Sequence, residues 1–538
     1  MLTPLEVLDL YPPHEGTVGS MFRSRLKVAA DREFIVFEGK SYSYREAERY
    51  VQATSAALKR RGVKAGDRVG VYSTNHPTSV FLLLALADLG AIMAPVNPEY
   101  GAEEVRYIFS HAEVCGIVCA PDLYETAVLA CSGMPSRPWI ILNESTATAE
   151  SSGGNATLQD EILKGSSPIE NHQASAASTC VFIYTSGTTG FPKAVMHSQG
   201  NLVTAGEGFV ERMHLQPADR LLCILPLFHV NAIFYSLGGA LAAGATLVLE
   251  RRFSASNFWK IVKETRATEV NTIAAAASIL MRRPRTEFVE GHHLQKMYGA
   301  PFDEETYRVF QEEFAVPTLI EGYGMSEIPG ALNNPFPGPH KIRSMGQPSR
   351  HPQASVQLAQ VGISDDSGAL LPPGEIGELV VKTPIVMQGY FKDAGQTEAA
   401  FRDGWFLTGD LAYYDKEGYY WFVARKKDII RRRGENISGA ELDRVIGNHP
   451  AVLEAAAIPV PSELGEDDIL VAVVPRPEMT VKPEDIEVWC RNHLSAIKVP
   501  RYVAIVDELP HTPTHRVAKF KLRDDVSIRT AATDLQAR

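Results

Sequence analysis

Residues 184 to 193 read Tyr184-Thr185-Ser186-Gly187-Thr188-Thr189-Gly190-Phe191-Pro192-Lys193. These residue types at this spacing fit the binding of phosphate. Gly187 and Gly190 let the backbone approach a ligand closely and take positive φ. The hydroxyls of Thr185, Ser186, Thr188 and Thr189, with the backbone amides between them, can cradle phosphate oxygens. Lys193 adds a compact positive charge on a flexible stem. The stretch is not a Walker loop, because no Gly-Lys-Ser/Thr follows at the required spacing. A polar linker could share this composition, but here an apolar strand, Thr179 to Tyr184, runs directly into the Gly- and Thr-dense segment.

The elements that must carry this loop follow from the apolar pattern. Residues 41–62 are predicted as a helix, because Ala47, Val51, Thr54, Ala57 and Leu58 recur near a 3.6 period, with Thr54 the least apolar member. Val69 to Tyr72, Ile92 to Val96 and Cys115 to Cys119 read as strands, with helical Ser79 to Leu89 between two of them. Strands alternating with helices imply parallel sheets joined by crossover helices. Residues 143–178, rich in Ser, Thr, Ala, Asn and Gly without periodicity, read as a surface excursion. A second α/β stretch is expected from about 200 to 330, a small β-rich part from about 353 to 424, and a return to β/α pattern after Arg425.

Bulk properties narrow the function classes. At 538 residues the chain is long enough for several structural units with sizeable cores. The formal net charge of −11 argues against nonspecific nucleic-acid binding, so phosphate must be held by a local site. The six cysteines include no C-x-x-C pair, which points to buried reduced thiols. No signal peptide is expected from Met1 to Gly16, and the longest apolar run, Val80 to Val96, is interrupted by Asp88 and Gly90 and should not span a membrane. Cytoplasm is the expected location.

The segment 184–193 resembles the signature phosphate loop of the adenylate-forming superfamily, which includes acyl-CoA synthetases, coumarate-CoA ligases, luciferases and peptide-synthetase adenylation domains. Further motifs stand in that family's order. Leu225-Pro226-Leu227-Phe228-His229-Val230-Asn231 resembles its second signature, which makes His229, at an apolar strand end, an aromatic gate between acyl and thiol channels. Gly299-Ala300-Pro301 resembles the segment that packs on adenine. Gly322-Tyr323-Gly324-Met325-Ser326-Glu327 resembles the next signature; the resemblance makes Tyr323 an adenine platform, Ser326 a phosphate contact and Glu327 a Mg²⁺ ligand. A carboxylate beside phosphates suits that hard cation. Thr408-Gly409-Asp410-Leu411 resembles the ribose-binding signature, with Arg425, fifteen residues on, as a second ribose or phosphate contact. Lys427 stands at the family's hinge, and Gly434 in the loop that lines the pantetheine tunnel. Arg431, Arg432 and Arg433 could meet CoA phosphates or form a solvated basic turn.

The resemblance, covering roughly residues 20 to 525, implies a large N-terminal domain, residues 1–426, of two α/β subdomains plus a small β-barrel-like one. A small mobile α+β domain, residues 427–538, follows. It implies an acyl-CoA ligase that uses ATP or AMP, CoA and Mg²⁺ and passes through an acyl-adenylate. The stretches Phe422 to Arg425 and Ile430 to Ser438 resemble carnitine and crotonobetaine ligases more than coumarate ligases, and ligases of this build also serve terpenoid natural-product biosynthesis.

One signature departs from the family. Its last lysine, which reaches the α-phosphate and the substrate carboxylate during adenylation, is replaced by Arg516, and the preceding glycine by His515. The expected enzyme therefore transfers an acyl group to CoA but makes the adenylate poorly, with a partner ligase as a possible supplier. The competing reading is a fully competent synthetase in which Arg516, or Lys519, substitutes. Ala274 to Ala277, Gly322, Gly324, Ile328 and Gly330 suggest a roomy apolar pocket for a hydrophobic carboxylate. A peptide-synthetase-like adenylation domain, lacking an acidic anchor for a substrate amine, and a noncatalytic nucleotide-binding protein are the remaining alternatives. A dimer is possible.

Overall fold

The computed structural model describes residues 1–134, 136–144, 157–158, 174–185, 192–432, 435–462, 467–511 and 517–537, without the side chains of Lys427, Glu435 and Asn436. Most of the 143–178 excursion thus lies outside the described residues. The chain divides into two compact units. One comprises 1–361, 381–406 and 418–420, the other 362–380, 407–417 and 421–538.

The first unit is built on two sheets. In one, strands run in the order Gly389–Tyr390, Lys193–Ser198, Thr179–Thr185, Ile92–Val96, Arg68–Tyr72, Val114–Cys119 and Trp139–Leu142. Its last five strands are mutually parallel, while Thr179–Thr185 turns back antiparallel into Lys193–Ser198. In the other sheet, Thr318–Met325, Lys296–Gly299, Glu269–Asn271, Arg220–Cys223, Thr246–Leu249 and Glu33–Phe37 are neighbours and parallel. Parallel pairing needs crossovers that cover both faces, so strands and crossovers alike are apolar. The helix Pro77–Leu89 is buried along all but one residue and stops at Gly90, whose φ of 67° supplies the left-handed cap. Among the described residues no helix is long and apolar enough to cross a membrane.

The first predicted helix begins later than its periodicity suggests. Residues Lys40–Ser43 form a strand that hairpins onto Glu33–Phe37, and the helix runs Tyr44–Arg60. Ser43 sets the boundary: it is extended, caps the helix, and exchanges bonds with Glu46 in a capping box. Thr54, the doubtful member of the stripe, is fully buried. The six cysteines are free thiols, five of them buried.

The stretch expected to be β-rich holds short strands at Gln360–Ser364, Gly377–Lys382, Phe401–Arg402, Trp405–Tyr414 and Tyr420–Arg425. In the second unit, Val452–Pro461, Asp467–Pro475, Tyr502–Ile505 and Thr533–Asp534 form a mixed sheet. Ile469, Val471 and Val473 face one core with Leu442 and Ile446, while Leu470, Ala472 and Val474 face another with Leu522. Burial on both faces explains why that strand is a continuous apolar run.

Candidate active site

Parallel strands place their carboxyl ends along one edge, where ligands of open α/β sheets bind. In the first unit that edge collects the sequence motifs. Strands ending at Cys223, Asn271, Gly299 and Met325 lead into the segments carrying His229, Ile273, Ala300-Pro301 and Ser326-Glu327.

His229 sits not at a strand end but in a turn six residues beyond it, ahead of a wide helical turn spanning Asn231–Leu237. Its N–H donates to the Pro226 carbonyl at 3.0 Å, and its ring lies 4.3 Å from that of Phe228. The turn is held from the other sheet. Buried Asn75 accepts from Leu227 N at 2.7 Å and donates to the Leu225 and Glu250 carbonyls, both at 3.0 Å.

Gly299 ends its strand where a Cβ would come within 2.9 Å of the Thr272 carbonyl, so only glycine fits. Pro301 is exposed, and Tyr323 and Met325 are half-buried. Buried Glu321, one residue before Gly322, ties these segments together. It accepts from Phe302 N at 2.9 Å, Arg343 N at 3.1 Å and the Tyr307 hydroxyl at 3.2 Å. Burial pushes its carboxyl up to about 7 from an ordinary 4.5. A carboxyl raised in the folded state lends its full stability below pH ~4.5 and loses it progressively as pH climbs toward 7, worth up to ~3 kcal/mol. Glu321→Gln, which cannot ionise, should lack this loss. Chemical denaturation from pH 4.5 to 8 is expected to show a flatter profile for the variant, whatever constant offset its amide brings.

The phosphate-loop hairpin meets the Glu327 turn. Thr185 and Lys193 pair across the hairpin, while Ser186, Gly187, Thr188 and Thr189 lie outside the described residues. Lys193 Nζ stands 5.3 Å over the Tyr390 ring, and the Tyr390 hydroxyl donates to Glu327 Oε1 at 2.8 Å. A cation, a phenol and a buried carboxylate thus stand in series. Ser326, next to Glu327, is half-buried.

Several glycines read as leaving volume do not. A Cβ on Gly322 would meet the Tyr298 hydroxyl at 2.3 Å. On Gly324 it would meet Gly330 N at 2.5 Å, and on Gly330 an Arg212 nitrogen at 2.2 Å. Their missing side chains make room for Tyr298, Arg212 and backbone. Ala276 and Ala277 pack in the core, while Ala275 is exposed.

The second unit carries the other predicted residues. Asp410, only 1% exposed, pairs with Arg425 Nε at 2.8 Å. Thr408 and Gly409, just before it, are fixed by bonds to the Leu379 carbonyl and Glu378. Lys426 Nζ bridges Asp366 at 2.9 Å and Glu378 at 3.1 Å. The Lys427 side chain, Arg433, Gly434 and Arg516 lie outside the described residues. Of the three arginines considered for CoA, Arg432 is buried and engaged with Asp468 and the Ile497 and Val499 carbonyls, and so is unavailable to a ligand. Lys519 opens the helix Lys519–Asp524 and pairs with Asp443 at 2.5 Å.

The AMP-binding enzyme family matches residues 22–391, and the AMP-binding enzyme C-terminal domain matches 441–516. An oxalate–CoA ligase of Arabidopsis thaliana is 32% identical over 481 residues, covering 87% of this chain and 90% of its own length. A sulfoacetate–CoA ligase of Cupriavidus necator is 32% identical, with 86% and 88% covered. A crotonobetaine/carnitine–CoA ligase of Escherichia coli is 29% identical, with 90% and 93% covered. The structure of ATP-bound MatB from Rhodopseudomonas palustris superposes with a TM-score of 0.81 at 26% identity, over 94% of this chain and 98% of that one. The chain therefore belongs to the AMP-binding enzymes of the adenylate-forming superfamily and is an acyl-CoA ligase that works with ATP, AMP and CoA.

Proposed function

We propose that this ligase acts on a hydrophobic carboxylic acid and forms the thioester readily but the adenylate poorly. In this reading Tyr323 and Gly299-Ala300-Pro301 hold adenine, the 185–189 loop with Lys193 and Ser326 holds phosphate, and Asp410 and Arg425 hold ribose. His229 gates the acyl and thiol channels, Gly434 lines the pantetheine path, and the 427–538 domain turns about Lys427. Glu327 suits Mg²⁺: it is a buried hard-oxygen donor beside a phosphate loop, and that ion typically takes one or two carboxylates plus phosphate oxygens. A bound Mg²⁺ would offset the phosphate charge. A cytoplasmic enzyme fed with adenylate by a partner ligase, as in natural-product biosynthesis, is the setting this implies.

Carboxylate attack on an α-phosphate brings two anions together, so the barrier depends on a cation placed where charge develops. A guanidinium is a broad planar fork, not a point charge, and Arg516 is no conservative stand-in. The observation that carries the reading concerns the other candidate. Lys519 is 13% exposed and already committed to Asp443, so it is not free to take the missing lysine's place. For the acid, Phe228, Ile273 and Met325 stand partly exposed along the carboxyl edge and favour an apolar acyl group.

A second reading concerns the acid alone. The crowding at Gly322, Gly324 and Gly330 narrows the space around that strand. Buried Arg212 meets carbonyl, hydroxyl, amide and ring groups but no carboxylate among the described residues. Together with relatives named for oxalate and sulfoacetate, this favours a short acid with a second anionic group.

Running the half-reactions separately across a panel of acids tests both. Expected are slow pyrophosphate exchange and fast acyl transfer from a synthetic adenylate to CoA. Lys519→Met should leave the residual exchange unchanged while lowering Tm, because Asp443 keeps the Ala457 N–H but loses its counter-charge. Brisk exchange by the unaltered protein, or its abolition in Lys519→Met, refutes the impaired-adenylation reading, and a preference for oxalate-like acids selects the second reading of the substrate.

A further inference from the structure

A residue outside every motif above stands between the phosphate hairpin and the Glu327 turn. His197 lies on the strand that begins at Lys193 and is completely buried. Its Nε2 is 2.6 Å from the Ser326 carbonyl, so that nitrogen carries the proton and donates. Its ring meets Phe234 edge-on, with centroids 4.7 Å apart. Nδ1 has no hydrogen-bond partner among the described residues. A buried, unpaired acceptor is costly, and an apolar side chain would pack on Phe234 without it. What the imidazole adds over such a side chain is a single donor, aimed at the Ser326 carbonyl. Burial holds the ring neutral, down to about 4 from an ordinary 6.5, so the donor persists at working pH.

The same turn is tied from the neighbouring strand. Met387 N donates to the Glu327 carbonyl at 2.8 Å, and the Tyr390 hydroxyl to the Glu327 carboxylate at 2.8 Å. Gly389 and Tyr390 in turn pair with Met196 and Val195, the two residues that precede His197 on its own strand. The turn is thus fastened to the phosphate hairpin through a side chain on one strand and backbone and phenol on the next.

We infer that His197 is a positioning residue: its bond to the Ser326 carbonyl sets the turn that presents the Ser326 hydroxyl and the Glu327 carboxylate to the nucleotide phosphates. The inference rests on the adenylate site proposed above. It separates His197, which acts on phosphate geometry, from a residue that merely fills the core.

The test uses the full chain and two probes, adenosine and Mg²⁺-bound α,β-methylene-ATP, with affinities from calorimetry and Tm in parallel. His197→Phe keeps the edge-on packing and lacks the donor, and His197→Leu serves as a second donor-free variant should the first not fold. His197→Gln retains an N–H near the Nε2 position. Loss of the donor should weaken the analogue about tenfold, the scale of one buried hydrogen bond, with adenosine unaffected. His197→Gln should restore most of the loss. Donor-free variants that bind the analogue as the unaltered chain does, or that lose adenosine and analogue equally as Tm falls, overturn the assignment. An unaltered chain that binds adenosine but not the analogue removes the phosphate site, and this assignment with it.

Discussion

Arg516→Lys should raise pyrophosphate exchange by about 10²–10³-fold at saturating acid, the usual worth of one well-placed group stabilising developing charge. The adenylation transition state gathers negative charge on the α-phosphate as the carboxylate approaches. An ammonium on a flexible stem can follow that charge, whereas a guanidinium brings a planar fork that must match its partners. Lys519, the other cation considered for this role, is paired with Asp443. In the proposed reading His515 takes the place of a glycine, so His515→Gly combined with Arg516→Lys should gain more than Arg516→Lys alone. Acyl transfer from synthetic adenylate to CoA should not change. An unaltered protein that already exchanges briskly, with no gain on substitution, would show that Arg516 suffices.

Asp410→Asn should weaken an acyl-adenylate analogue about 10²-fold, the scale of hydrogen bonds made to a charged acceptor. The Asp410 carboxylate is 1% exposed and pairs with Arg425, so it is held by the guanidinium rather than solvated. An amide accepts with one oxygen only and leaves the guanidinium without its counter-charge. Stability should suffer less than binding, because the Arg425 side chain is 37% exposed and water can serve it. Titration calorimetry beside thermal denaturation separates the two effects. Equal losses of both would make Asp410 a structural residue.

Much of this was legible before any coordinates because parallel sheets impose a simple pattern. Buried strands must be apolar, crossovers must be helical, and ligand loops must fall at carboxyl ends. The apolar run into the 184–193 loop follows from that, whereas the Tyr323–Glu327 and Thr408–Asp410 segments stood out only through their resemblance to family signatures. What escaped were residues acting on chain-distant partners. Asn75 fixes a turn some 150 residues away, Tyr390 holds Glu327 across 63, and His197 reaches Ser326 across 129. No local period announces such a contact. Two local readings also failed for physical reasons. Ser41 to Ser43 suited a helix start by periodicity, but the hairpin to Glu33–Phe37 claimed them and left Ser43 as the cap. Gly322, Gly324 and Gly330 suited an open pocket by size, yet a missing Cβ leaves space only when nothing else enters it.

The account depends on Tyr323, Ser326 and Asp410 each holding its part of one nucleotide. The most direct measurement is a crystal structure with a non-hydrolysable acyl-sulfamoyl-adenosine. It should show Tyr323 against adenine, Asp410 on the ribose hydroxyls, and Ser326 and the 185–189 loop around the sulfamoyl group. Adenosine density elsewhere, with Asp410 still turned only to Arg425 and Tyr323 uncovered, would contradict it.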